Sequence, residues 1–479
     1  MATQQDGPVE ATGVVQAPTR PSGGPPPPGG ERRGPLERVA EFFTSLTERF
    51  VPDPFVLALG LTLLVAVLAL VIEQENPVDL VTSWGDGFWN LLEFTMQMAL
   101  VLATGFVLAH TPPVQAGINA VADRLATPRQ AVMAATAIGA VGSYINWGFG
   151  LVVGGVVATK FALRVSGVHY PLIIASAYSG FTLWALGLSA SIPVTISTKG
   201  HPLEAQMGLI PLSRTIWSWP MGLTALAILV LLLTLNPMLH PKDPSRVVEI
   251  DRSKHAEEPP RVGPPPGPLT VAERLNHSRV IGTVAGLCGL LYLVIHFAKG
   301  NSLDINSVNF TMLFVGLLFM GTPARYLAAM ADGVKTISGI VLQYPFYAGI
   351  MAIMTASGLV VSFGDWMSDI ASAGTLPFLG FLVSFVLNFV APSGGGHWVI
   401  QGPFTIEAAK ALGSDYAQNA MAVQLGNAWN DIIQPLWILP VLALSKLKLK
   451  DIMGYLVIIM VACGVVYAVA VLLWGVLAA

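Results

Sequence analysis

The stretch N-F-V-A-P-S-G-G-G-H-W-V-I-Q, from Asn388 to Gln401, sets the strongest constraint on what this chain can fold into. Apolar runs lie on both sides, at 376–390 and 398–411. Each is shorter than the roughly 20 residues a helix needs to cross a bilayer. Between them Pro392, Gly394, Gly395 and Gly396 cannot sustain a helix. Asn388, Ser393, His397 and Gln401 bring hydrogen-bonding groups to the break. Irregular backbone at membrane depth is tolerated only where it is packed in protein or lines a cavity. A plain loop between two helices is one reading. The short arms favour the other, a re-entrant helical hairpin whose tip binds a ligand.

Composition places that break in a membrane. Hydrophobic residues make up 53% of the chain and charged residues only 11%, against about 25% charged in soluble domains. A net charge of −3 gives no reason to expect nucleic acid. Cys288 and Cys463 sit in apolar runs without CxxC or metal-ligand spacing. Residues 1–36 are rich in Pro and Gly and lack the apolar core of a cleavable signal, so a disordered tail is expected. A short amphipathic stretch, Leu36 to Phe50, follows and fits the membrane surface.

Apolar spans are expected at Pro54 to Val71, Phe88 to His110, Ile216 to Met238, Val280 to Ala298, Val308 to Met320, Ile337 to Ala356 and Met453 to Trp474. Arg325 to Val334 reads as an interfacial helix. The run from Arg129 to Leu163 is broken at Ser143-Tyr144-Ile145-Asn146-Trp147 by flanking glycines and repeats the pattern at 388–401. Tyr170 to Ile196 and Ala417 to Leu444 are long and interrupted, as discontinuous helices would be. The order span, span, hairpin, broken helix, span thus occurs twice. The expected fold is an all-α integral membrane protein with an inverted repeat, about nine full or broken transmembrane helices and two re-entrant hairpins. Its divisions are a first repeat at 37–238, a Pro-rich cytoplasmic linker at 239–275, an orientation-reversing span at 276–306 and a second repeat at 307–479.

Charge orients this scheme. With the N-terminus in the cytoplasm, all of the 25 Lys and Arg residues except Lys199, Arg214, Lys299 and Lys410 fall on the inside. The first hairpin then enters from the cytoplasm and the second from outside, so that their tips meet.

Broken helices expose free N–H groups at one end and free C=O groups at the other. The first suit anions and the second cations. Neither tip has Lys or Arg nearby. A small singly charged carboxylate fits such a site better than a multiply charged anion, which calls for an arginine clamp. Ser143, Asn146, Asn388, Ser393, Gly394, Gly395, Gly396 and His397 are the candidate substrate ligands. The plain alternative for the two asparagines is tying a tip together, and for His397 a packed polar group. Asp431 lies deep in an apolar run, where an ionisable residue is a functional candidate by default. With Asn427 and Asn430 it forms the candidate site for a coupling ion, Na⁺ through oxygens or H⁺ on the carboxylate; the plain alternative is a cap at the break before Pro435. No nucleotide loop, cofactor motif or firm metal site is present. A hydrolase using Ser393 and His397 lacks any motif for an oxyanion hole.

The strings at 388–403, at Ser143 to Gly148 and at Asn427 to Asp431 resemble those of the bacterial short-chain fatty acid transporters, and the similarity extends from about residue 36 to the C-terminus. The resemblance implies uptake of acids such as acetoacetate or butyrate across the bacterial inner membrane. It also implies kinship with the ion-transporter superfamily, whose members move one domain like an elevator and are often homodimers. A dicarboxylate carrier of the same architecture is the alternative.

Overall fold

The computed structural model describes residue 52 and residues 54–254 and 267–478. The tail at 1–36 and the amphipathic stretch from Leu36 to Phe50 lie outside these residues. Among the described residues every regular element is helical, and eight helices are long and apolar enough to cross a membrane.

The first half comprises α1 (Pro54–Ile72), α2 (Pro77–Gly87), α3 (Leu92–Ala109), α4 (Pro112–Ala122), α5 (Pro128–Ile145), α6 (Trp147–Arg164), α7 (Tyr170–Ser179), a 3₁₀ turn (Gly180–Leu186), α8 (Ser191–Ile196) and α9 (Trp219–Met238). The second comprises α10 (Arg279–Ala298), α11 (Ile305–Met320), α12 (Pro323–Val334), α13 (Ser338–Ser357), α14 (Leu359–Ile370), α15 (Leu376–Leu387), α16 (Gly394–Leu412), α17 (Tyr416–Asp431), α18 (Pro435–Ser445) and α19 (Leu449–Ala478). Their ends follow local rules. Pro occupies the first turn of α2, α5 and α18, where its missing N–H costs nothing. Thr127 and Gln130 form a capping box on α5. Gly321, Gly358 and Gly413 close α11, α13 and α16 in the left-handed conformation.

Both breaks expected in short apolar arms are hairpin tips. In the first, α5 and α6 fold against each other about Asn146, the C-cap of one and the N-cap of the other. The arms cross so closely at Gly150 that a Cβ there would lie 2.2 Å from the Ser143 backbone nitrogen. Gly139 and Gly154, one on each arm, both face the Ala177 carbonyl of α7. In the second hairpin, Gln401 Nε2 on α16 donates to the Gly380 carbonyl on α15 at 2.9 Å. Nearer the tip, Ser384 Oγ and His397 Nε2 are 3.0 Å apart. Each hairpin packs on the broken helix that follows it. A Cβ on Gly180 would strike the backbone of α5 at Ala140, and one on Gly426 would strike the Phe381 carbonyl of α15. The broken helices also touch each other: Tyr178 donates its hydroxyl to the Asp431 carbonyl, and Thr182 Oγ1 donates to the Ala428 carbonyl at 3.4 Å.

Helices not expected from the sequence include α2, α4 and α14. The acidic segment after α1 is helix α2, and 359–370 forms α14. Both mix apolar residues with Asp, Ser and Gly, so neither has a long apolar run. α2 is fixed instead by close approach to α13, where a Cβ on Gly87 would overlap Ala352. The start of the linker is also ordered. Val248 accepts from the Tyr170 N–H at 2.8 Å and donates its own N–H to His169 Nδ1 at 3.0 Å. Burial and the neighbouring His240 hold the His169 imidazole down to about 4, which keeps it neutral and able to accept that bond.

Gly150→Ala tests the first hairpin. The obstacle is backbone, which cannot step aside as a flexible side chain can. The variant is expected to lose about 3 kcal/mol of stability, read as a lowered melting temperature in detergent. Gly60→Ala, which meets nothing within 4 Å, is the control, and equal melting of the two variants would contradict the packing.

Candidate functional site

The hairpin tips and the breaks in the two discontinuous helices converge on one buried cavity. It is lined by Trp147 from the first tip and Ser393, Gly394 and Gly395 from the second. Phe181, Trp184 and Ser191 come from the first broken helix and Trp437 from the second, with Met98 on α3 and Ile340 and Tyr344 on α13 completing the wall. The space they enclose is about 20 Å³, on the order of one water molecule. Aromatic rings form one side: Phe181 lies 5.9 Å from Trp437 and 6.1 Å from Trp184 between ring centroids, and Trp147 meets Trp437 edge to face at 5.6 Å.

The lining is also rich in hydrogen-bond donors. Ser393 caps α16 by accepting from the Gly396 N–H at 3.4 Å, and its hydroxyl meets Tyr344 Oη at 2.9 Å. The N–H groups of Gly394 and Gly395, the first two of α16, have no partner among the described residues. The indole Nε1 atoms of Trp147, Trp184 and Trp437 are buried and also lack a hydrogen bond. An indole N–H can only donate, and a buried donor without an acceptor costs about 1–3 kcal/mol. Three such indoles and an open helix N-terminus around one cavity form a place where an acceptor, above all an anion, is favoured. No Lys or Arg lines it.

The sequence candidates divide among four places. Ser393, Gly394 and Gly395 line the cavity, and Gly396 lies one turn position behind them with its Cα against the Tyr347 ring. Ser143 and Asn146 lie within the first hairpin. Ser143 Oγ donates to the Gly139 carbonyl at 2.7 Å. Asn146 Oδ1 accepts from the Phe149 N–H at 2.8 Å, and its Nδ2 reaches the Val101 carbonyl on α3. His397 is fully buried among α15, α16 and α17. Gln401 uses its amide nitrogen on Gly380, so its Oε1, 2.6 Å from His397 Nε2, is an acceptor. Ser384 already donates to the Val423 carbonyl. His397 Nε2 therefore carries the proton, and Nδ1 is left without a partner.

Asn388 joins the candidate ion site rather than the cavity wall. Its Nδ2 donates to Asp431 Oδ1 at 2.7 Å and lies 3.2 Å from the Asn427 carbonyl and 3.3 Å from Asn430 Oδ1. Asn427 Nδ2 returns a bond to Asn388 Oδ1 at 2.7 Å. Gln434 Nε2 donates to the Asn388 carbonyl and Asn430 Nδ2 to the Phe385 carbonyl, both at 2.9 Å. This knot fastens the second tip to the break in the second discontinuous helix. It abuts the cavity, because the indole nitrogens of Trp184 and Trp437 face the Asp431 carboxyl group without reaching hydrogen-bond geometry. Among the described residues no group of three or more His, Cys, Asp and Glu is placed to hold a metal.

Sequence reasoning did not single out Phe181, Trp184, Ser191, Tyr344 or Trp437 as site residues. An aromatic residue in an apolar run looks like core. A signal existed for two of them: Trp184 falls between Gly180 and Gly187, and Trp437 follows the Pro435 break.

Known proteins share this chain and fold. A family model described as "Short chain fatty acid transporter" matches residues 35–474. An Escherichia coli protein provisionally named as a short-chain fatty acid transporter is 42% identical over 440 residues, which is 92% of this chain and all of that protein. A Haemophilus influenzae protein of the same provisional name is 38% identical and covers 88% of this chain and 96% of its own. Among solved structures, the Alcanivorax borkumensis YdaH transporter, described as having an unusual topology, superposes with a TM-score of 0.52 at 14% identity. That match covers 88% of this chain and 98% of the other, and extends the likeness to the fold alone. With the family model spanning nearly the whole chain and two relatives matched over almost their full length, this multi-pass membrane protein belongs to the short-chain fatty acid transporter family.

Proposed function

We propose that the protein is a secondary active carrier moving short-chain fatty acids, monocarboxylates of the acetoacetate and butyrate type, across the bacterial inner membrane. One observation carries the reading: unpartnered buried N–H donors, from the indoles of the aromatic wall itself and from the start of α16, surround a cavity that no Lys or Arg lines. The donors suit a single carboxylate, and the rings suit a short acyl chain. The family named above supports the same substrate class.

The N-terminus lies in the cytoplasm, the halves 37–238 and 307–479 are inverted repeats, and the hairpins enter from opposite faces. Two contacts favour this arrangement. Arg214 pairs with Asp415, joining segments that charge assigns to the outside. Tyr170 donates to the Ser445 carbonyl at 3.0 Å, joining segments assigned to the inside. Transport runs as an elevator, in which the hairpins and broken helices travel together and carry the cavity between faces. The driving force is a gradient of H⁺ or Na⁺ acting through the Asp431 site.

Counterflow in proteoliposomes tests the substrate. Vesicles loaded with unlabelled butyrate are expected to draw in labelled butyrate and acetoacetate well above protein-free vesicles, which correct for passage of the neutral acids through lipid. Absence of counterflow for every short fatty acid sinks the reading. Stronger competition by four-carbon diacids than by monoacids would replace it with a dicarboxylate carrier.

A further inference from the structure

Asp431 and the cavity share a wall. Trp184 and Trp437 line the cavity, and the same two indole nitrogens face the Asp431 carboxyl group. Neither indole is committed to a hydrogen bond. The side-chain groups that meet this carboxyl are donors, the Asn388 amide at 2.7 Å and the two indoles, while the amide oxygens of Asn427 and Asn430 lie in the same knot beyond Asn388. The Asn388 side-chain oxygen Oδ1 accepts from Asn427 Nδ2 at 2.7 Å. Hard cations are held by clusters of oxygens, not by N–H groups. From the other packed elements, Tyr178 on α7 gives its hydroxyl to the Asp431 backbone carbonyl, and Tyr467 on α19 bonds to Thr182 beside it. Among the described residues no Lys, Arg or His lies within salt-bridge distance of the carboxyl.

We infer that Asp431 and the substrate carboxylate compete for the Trp184 and Trp437 N–H donors, so that the acid binds only when Asp431 is protonated and transport couples one proton to each carboxylate. The inference rests on the cavity being the carboxylate site. Two carboxylates served by the same donors in a water-poor cavity cannot both stay ionised. In the empty carrier Asp431 is the anion that the indoles face. When the substrate anion enters and takes an indole N–H, a proton from the medium settles on Asp431 Oδ. The bound state carries the same charge as the empty one, and the step is electroneutral. Trp184 and Trp437 act as positioning residues that pass one site's charge to the other. No Na⁺ takes part.

The test is butyrate binding to the full-length protein in nanodiscs, followed by tryptophan fluorescence, with proton uptake recorded in weakly buffered medium between pH 6 and 8.5. At the alkaline end of this range binding is expected to take up about one proton per butyrate, and progressively less as the pH falls and Asp431 is already protonated in the empty carrier. Above the Asp431 titration the apparent affinity should fall about tenfold per pH unit, and added Na⁺ should change nothing. Infrared difference spectra of the wild type should gain a protonated-carboxyl band on binding, a readout that needs no variant to fold. In Asp431→Asn both the proton uptake and the pH slope should vanish. Saturable binding without proton uptake at the alkaline end, binding that strengthens with Na⁺ at fixed pH, or proton uptake that persists in Asp431→Asn would each overturn the inference while the carboxylate site stands. Failure of butyrate to bind at any pH would instead overturn the carboxylate site itself.

Discussion

Gly394→Ala is expected to lower the rate of butyrate counterflow at least about a hundredfold in a protein that still folds. A Cβ on Gly394 would lie 2.6 Å from Trp184 Cη2 and 2.9 Å from Ser191 Oγ. Both belong to the cavity wall, and Gly394 supplies one of the unpartnered N–H groups. The serine hydroxyl can rotate away. The indole is 3% exposed and stacked on Phe181, so it must move into the space the acyl chain would use. A hundredfold loss corresponds to about 2.7 kcal/mol, which a displaced helix N-terminus and a narrowed cavity readily supply together. Melting temperature and counterflow are measured side by side, with Gly117→Ala, which meets nothing within 4 Å, as control. Normal counterflow in Gly394→Ala would remove the second tip from the substrate path.

The glycine run shows what the sequence could and could not reveal. Expected to interrupt the helix, Gly394, Gly395 and Gly396 instead form the first turn of α16 behind the Ser393 cap. Only the break before them, at Pro392 between short apolar arms, was legible. The need for three glycines was not. A Cβ on each would meet a different ring: Trp184 at Gly394, Phe94 at Gly395 and Tyr347 at Gly396. Those rings come from three separate helices, and no local pattern announces such meetings. The same holds for the charge. Asp431 stood out because an acid in an apolar run is rare. Its bond to Asn388 spans 43 residues, and nothing in either local string pairs them. Asn388 looked like a substrate ligand because it sits at a tip. The structure turns its side chain the other way, onto the break in the next helix. The aromatic wall was the least legible part, because period and composition cannot separate a ring that fills core from one that borders a void.

Asn388→Ala is expected to cost more than its small volume suggests, and the companion change at Asp431 should recover part of it. Removing the amide leaves Asp431 Oδ1 and Asn427 Nδ2 without their 2.7 Å partners in a fully buried knot. Each orphaned polar group costs about 1–3 kcal/mol, more when one is charged. The tip also loses its tie to α17, so accumulation of substrate against a gradient should disappear. Asp431→Asn alone keeps a hydrogen-bonding side chain and should be milder. In the double variant the charge that most needed the amide is gone. The paired losses in unfolding free energy should therefore fall short of their sum by about 1–2 kcal/mol. That shortfall, measured by a double-mutant cycle on denaturation in mild detergent, would show that Asn388 serves the carboxylate. Simple additivity would show that Asn388 only fills the tip, and Asp431 would then have to be held by some other group.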